Sequence, residues 1–119
     1  MKYYQLMFTV VETRLFQRIW PHYWTEEERG EFCAYIATNH EVGDVVAQSG
    51  GVRKVRWSRA GSGKSGGVRV VYFTRTDADE VVLLIMYAKS KLETLKASTL
   101  KELRNAIEKS FQANDRRGT

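Results

Sequence analysis

The chain has 119 residues, with 19 lysines and arginines against 14 acidic residues, a net charge of +5 and a pI near 9.5. This length predicts one domain over residues 1–119, with its core at about residues 7–112 and a frayed tail from Asn114. The basic balance favours nucleic acid or an acidic protein as the partner over an anionic small molecule. A lone cysteine, the lack of a long apolar run and an N-terminus unlike a signal peptide predict a soluble cytoplasmic protein.

The N-terminal half is predicted to form one strand and two helices. Residues 7–12 are rich in β-formers and predict a strand. Helical spacing of apolar residues predicts a helix over residues 14–20, which Pro21 should end or kink. Thr25 and the glutamate three residues later form a capping box that begins a second helix, and Asn39 is a plausible end for it.

The C-terminal half is predicted to form three strands and a helix. The strands are expected at residues 52–58, 67–74 and 81–87, and apolar residues on both faces of the last two predict a sheet covered on both sides. Thr99 and the glutamate three residues later predict the capping box of a final helix. The sequence therefore predicts an α+β domain, with a small antiparallel sheet, two N-terminal helices and a C-terminal helix packed on it.

Residues 45–76 form a basic segment that contains no acid and is bounded by Asp44 and Asp77. Such a one-sided run costs self-repulsion, which an anionic ligand would offset, and the phosphates of RNA are the expected source. Its seven cations are Arg53, Lys54, Arg56, Arg59, Lys64, Arg69 and Arg75.

A glycine-rich loop over residues 61–66, GSGKSG, interrupts the basic segment. It matches the letters of a dinucleotide-binding motif, but that motif needs a helix after the glycines, and a strand is predicted here. A P-loop fails for the same reason, and because Ser58 stands where its first glycine is required. Two interpretations of the loop remain: a solvated hairpin tip, or a mobile Lys64 that closes onto a phosphate.

Strand alternation can bring several of these side chains to one face of the sheet. Lys54 and Arg56 share a face of their strand, Arg69 lies on the next strand, and Tyr87 and Lys89 share a side of the last one. The strand register decides whether they meet. The alternatives are an internal ion pair for Arg69 and a sheet-packing role for Tyr87. Histidine and cysteine spacing predicts no metal site.

Four segments of the chain together resemble a known family. They are GDVV at residues 43–46, GGVRKVRW at 50–57, GSGKSGGVRVVYF at 61–73 and LLIMYAK at 83–89. Their order and spacing resemble the HigB-like branch of the HigB/RelE superfamily, the toxins of bacterial type II toxin–antitoxin systems, over most of residues 8–110. The resemblance implies a microbial RNase fold and an mRNA endonuclease that acts in the ribosomal A site and inhibits translation. It also implies cleavage without a metal or other cofactor, by attack of the ribose 2′-OH on the neighbouring phosphate.

The resemblance further implies site residues and partners. The implied catalytic residues are Lys54, Arg56, Lys64, Arg69, Tyr87 and Lys89, and Arg53, Arg59 and Arg75 are the candidates for RNA binding. Expected partners are mRNA, the ribosome and a cognate antitoxin, which in this branch is a helix-turn-helix DNA-binding protein.

The sequence departs from the family pattern at Ser65 and Ser90, where relatives carry basic residues. No histidine lies in the site, and arginine is a poor general base, so the identity of the base stays open. The main alternative to the endonuclease is a non-catalytic RNA- or ribosome-binding module, and a weaker one is an adaptor for an acidic protein.

Overall fold

The computed structural model describes residues 7–58, 67–88 and 95–117, with side chains as far as residue 113. The elements in chain order are β1 (Thr9–Glu12), α1 (Arg14–Ile19), a 3₁₀ turn (Trp20–His22), α2 (Glu26–Thr38), β2 (Asp44–Val45), β3 (Arg53–Trp57), β4 (Val68–Arg75), β5 (Glu80–Ala88) and α3 (Ala97–Arg117). The strands form one sheet in the order β1-β5-β4-β3-β2. This confirms the predicted α+β class.

The N-terminal helices begin and end where the sequence predicts. α1 gives way at Trp20 to a 3₁₀ turn that contains Pro21, because proline cannot continue the α-helical hydrogen bonds. The Thr25 capping box is complete: the hydroxyl accepts from the Glu28 amide at 3.1 Å, and the Glu28 carboxylate accepts from the Thr25 amide at 2.8 Å. α2 ends at Asn39, as predicted.

The sheet is mixed, so the prediction of an antiparallel sheet was wrong for β1. β2, β3, β4 and β5 pair antiparallel, but β1 pairs parallel with β5. Residue types within a short strand carry little information about its direction, which depends on where the distant β5 lies. β1 is an edge strand of the sheet, beside β5.

Apolar clusters cover both faces of β4 and β5, as predicted. One cluster packs these strands against α1 and α2, with Phe16, Phe32 and Tyr72 fully buried. The other packs them against α3 through Phe73 and Leu100. α3 thus lies on the opposite face of the sheet from the two N-terminal helices.

α3 begins at Ala97, three residues earlier than a helix capped by Thr99 would begin. The Leu100 amide donates to the Lys96 carbonyl at 3.2 Å, so the first turn precedes Thr99 and the predicted Thr99 capping box was wrong. The predicted inward face of Leu100, Leu103 and Ile107 is confirmed. The helix continues to Arg117, so Asn114, where a frayed tail is predicted, is still helical.

Candidate nucleic-acid interface

Three strands align a row of side chains at one end of the sheet. Arg56 of β3 lies directly opposite Arg69 of β4, and Arg69 lies directly opposite Tyr87 of β5. Directly opposite residues of antiparallel strands share a face, with Cβ atoms roughly 5 Å apart. Lys54 lies two residues before Arg56 and shares that face. We refer to Lys54, Arg56, Arg69 and Tyr87 as the four-residue site; the register brings them together, as strand alternation allowed.

The four-residue site lies beyond the apolar cluster under α3. Lys54 pairs with Val71, which belongs to that cluster, and the Tyr87 ring packs against the cluster. Arg56 is exposed, and the other three side chains are half-buried. The site therefore has an apolar floor on one side and open access to solvent.

Two arginines directly opposite each other carry an electrostatic cost. Like charges at facing positions of neighbouring strands destabilise the sheet. Arg56 and Arg69 both take part in further interactions within the protein. A phosphate group bound at this face would offset the positive charge that the register and the surrounding segment concentrate there.

Arg53, predicted to bind RNA, lies on the other face of β3 and binds the backbone. Its guanidinium donates to the carbonyl oxygens of Glu41 at 3.0 Å and Gly43 at 2.7 Å. The facing Tyr72 hydroxyl donates to the His40 carbonyl at 2.8 Å and accepts from the Gly43 amide at 2.9 Å. Arg53 and Tyr72 thus hold the backbone between α2 and β2, and we call these contacts the Tyr72 clamp.

The clamp leaves no room for a side chain at Gly43. A Cβ atom there would lie 2.8 Å from the Tyr72 hydroxyl oxygen and 3.1 Å from the Arg53 Cβ. Burial raises the pKa of Tyr72, so its hydroxyl keeps its proton near neutral pH. Tyr72 is not among the site residues that the sequence predicts. A tyrosine on the core side of a buried strand signals that its hydroxyl needs a partner, but not which partner.

Arg75, also predicted to bind RNA, lies at the opposite end of β4 from Arg69. It pairs with Glu80 at 2.7 Å, and its guanidinium lies 4.9 Å from the centre of the Phe111 ring. Only 14% of its side chain is exposed. This placement gives no support to an RNA contact by Arg75, because its charge is engaged within the domain.

Five positions that the sequence singles out lie outside the described residues. They are the predicted site residues Arg59, Lys64 and Lys89, and the two departures from the family pattern, Ser65 and Ser90. The glycine-rich loop at residues 61–66 lies there too. β4 begins at Val68, immediately after this loop. A strand rather than a helix therefore follows the glycines, as expected, which agrees with the exclusion of a dinucleotide-binding motif.

The histidines and the cysteine lie away from the four-residue site. His22 is exposed, and the His40 ring stacks on Phe8 with ring centres 3.9 Å apart. Burial, helped by the charge of Glu12, raises the pKa of Cys33 to about 11. Within residues 7–58, 67–88 and 95–117, no cluster of histidine, cysteine and acidic side chains could hold a metal ion. No helix in these ranges is long and apolar enough to cross a membrane.

A family model described as the RelE toxin of the RelE/RelB toxin–antitoxin system matches residues 10–117. The chain belongs to the RelE toxin family. It is thus a toxin of the toxin–antitoxin type, a family whose members are generally ribonucleases and act with an antitoxin partner. The matched range includes the whole four-residue site and all but the first residue of β1. The finer prediction of a HigB-like branch stays a prediction.

Proposed function

We propose that this RelE-family toxin is a ribosome-dependent mRNA endonuclease of the HigB-like branch that cleaves without a metal ion. The observation that supports this most directly is the cross-strand row of Arg56, Arg69 and Tyr87, with Lys54 beside it. In this proposal the ribose 2′-OH attacks the adjacent phosphate, leaving a cyclic phosphate on one fragment and a 5′-OH on the other.

The row suits phosphate chemistry because of its residue types. Guanidinium groups bind phosphate oxygens through paired N–H donors and stay charged at all working pH values. Placed against the scissile phosphate, Arg56 and Arg69 stabilise the negative charge that develops in the transition state. Lys54 adds a third cation, and the half-buried Tyr87 presents an aromatic ring and a hydroxyl group beside the phosphate.

The proposal assigns different roles to the other predicted residues. Lys64 and Lys89 are proposed as additional cations of the catalytic site, and Arg59 as an RNA contact. Arg53 and Arg75 are proposed to stabilise the fold, since both guanidinium groups bind other groups of the protein. The proposed antitoxin is a helix-turn-helix DNA-binding protein.

The composition of the four-residue site supports the proposed dependence on the ribosome. It supplies cations but no histidine or carboxylate of its own to act as a base, so catalysis must gain much from positioning of the substrate. The ribosomal A site would hold the mRNA in a geometry that favours attack by the 2′-OH.

The experiment compares purified protein on translating ribosomes with the same protein and mRNA alone. We expect cleavage within the A-site codon on ribosomes and little cleavage of naked mRNA. The naked mRNA should stay largely uncut whether or not its buffer contains EDTA. Efficient cutting of free RNA at matched concentrations would refute ribosome dependence. Ribosome binding without any cleavage would instead show a non-catalytic binding module.

A further inference from the structure

The five described strands carry three acidic residues, and two of them form ion pairs away from the four-residue site. Glu12 of β1 pairs with an arginine of α2 at 2.7 Å, and Glu80 of β5 pairs with its cross-strand arginine, also at 2.7 Å. The third acid is Asp44 of β2, which is exposed and lies directly opposite Lys54. Asp44 is therefore the strand acid that adjoins the cationic face.

β2 is only two residues long, yet contacts outside the ladder fix both of its ends. Before it, the Gly43 amide donates to the Tyr72 hydroxyl at 2.9 Å, and the Gly43 carbonyl accepts from Arg53 at 2.7 Å. After it, the carbonyl of Val46 accepts from the buried Ser49 hydroxyl at 2.6 Å. Such a short edge strand gains little stability from its own ladder, so these contacts determine where Asp44 stands.

We propose that Asp44 is a positioning residue for RNA cleavage, whose carboxylate orients the Lys54 ammonium toward the phosphate-binding face. The inference rests on the proposed endonuclease function and deepens it. A carboxylate repels phosphate, so Asp44 aids cleavage only through a cation beside it. Lys54 is that cation, because it faces Asp44 across the ladder and shares a face with Arg56.

The proposed benefit of Asp44 is that it reduces the conformational freedom of the Lys54 side chain. Lysine carries its charge on a flexible four-carbon stem, and a point charge gives no directional fork like that of arginine. In the proposed role, the carboxylate of Asp44 at the facing position restrains that stem. The interaction free energy of an opposite-charge cross-strand pair corresponds to a factor of up to about five in a rate or equilibrium constant.

The experiment measures single-turnover mRNA cleavage on translating ribosomes and binding of a single-stranded RNA oligonucleotide. Asp44→Asn should lower the cleavage rate about two- to fivefold. It should bind RNA at least as tightly as the wild type, because a repulsive charge is removed. Asp44→Glu should restore most of the rate. The matched control is Glu41→Gln, which removes an exposed acid three residues away that does not face Lys54, and it should cleave normally.

A double-mutant cycle with Lys54→Ala identifies the residue through which Asp44 acts. In the Lys54→Ala background, Asp44→Asn should cause no further loss of rate, and all variants should melt near the wild-type temperature. Additive losses in the cycle, or an Asp44→Asn variant that cuts at the wild-type rate, would overturn the positioning role while the endonuclease function stands. Wild-type protein that leaves mRNA uncut on ribosomes would overturn the endonuclease function and the positioning role together.

Discussion

Replacing Tyr72 with phenylalanine should destabilise the protein through two hydrogen bonds while leaving the packing of the ring unchanged. The hydroxyl donates to the His40 carbonyl at 2.8 Å and accepts from the Gly43 amide at 2.9 Å. The Tyr72 side chain is fully buried, so the two backbone groups lose partners that water replaces poorly. Unpaired buried groups cost about 1–3 kcal/mol each, and partial rehydration at the surface loop puts the sum near 2 kcal/mol.

This cost corresponds to a clear shift in melting temperature. The unfolding entropy of about 2.1 cal/mol/K per residue gives roughly 0.25 kcal/mol/K for a chain of this length. A loss of about 2 kcal/mol therefore lowers the melting temperature of Tyr72→Phe by about 8 °C. The amide of Gly43 should also exchange with deuterium faster, because it loses its acceptor. Tyr35→Phe is the control, since it makes the same chemical change at a half-buried tyrosine whose ring packs on Trp57.

The pH dependence of this difference follows from the raised pKa of Tyr72, which burial causes. A group whose pKa is higher in the folded state contributes its stabilisation fully below the unfolded value of about 10. The contribution decreases as pH rises through the folded value. The gap between Tyr72→Phe and wild type should therefore be constant from about pH 6 to 9 and narrow above that range. A variant that melts within about 2 °C of wild type, against the expected 8 °C, would show that the clamp adds no stability.

Three further predictions separate the four-residue site from its surroundings. Arg69→Ala should lower single-turnover cleavage by about 10², the effect of losing one transition-state donor, whereas Ser58→Ala, nearby and uncharged, should cut normally. Arg75→Ala should cleave normally but melt about 4 °C lower, because it loses the Glu80 pair and the Phe111 contact; a cleavage defect at unchanged stability would place Arg75 in the RNA interface instead. RNA affinity should fall with salt with a log–log slope of roughly −0.7 per phosphate contact, and Lys54→Ala should make that slope shallower; a flat dependence would argue against phosphate recognition. 

The thiol of Cys33 should be slow to react in the folded protein. Burial raises its pKa to about 11, so the reactive thiolate is about 10² less abundant at pH 8 than in an ordinary cysteine. Alkylation by iodoacetamide should be slow in native protein and fast in urea, and equal rates in the two conditions would contradict the assigned burial. The native rate should rise with pH toward 11, because deprotonation then supplies the thiolate.

Local chemistry was predictable from the sequence where it depends on residues near one another in the chain. The Thr25 capping box and the end of α1 before Pro21 were found because their partners lie within four residues. The start of α3 was missed, although the signal at Thr99 was of the same kind. In the structure Leu100 packs on the sheet, and its amide already donates to the Lys96 carbonyl, so the helix begins before Thr99.

Long-range register set the limit on what the sequence could show of the site. Strand alternation allowed Lys54, Arg56, Arg69 and Tyr87 to share a face, but only the pairing of three strands brings them into one cluster. The same holds for Asp44, which the sequence marks only as a boundary of the basic segment. Its position opposite Lys54 requires the chain to turn back through residues 46–52.

The two arginines of β4 show why residue type alone does not separate a binding cation from a structural one. Arg69 and Arg75 are six residues apart on one strand and lie on the same face, toward α3. α3 covers the Arg75 end, where Phe111 contacts that arginine and Arg104 lies 5.0 Å from the Phe73 ring centre. Across the strand, Arg75 meets an acid, whereas Arg69 meets Tyr87 and another arginine. Because of where α3 lies and how β5 pairs with β4, Arg75 packs at the edge of the apolar cluster, whereas Arg69 belongs to the four-residue site.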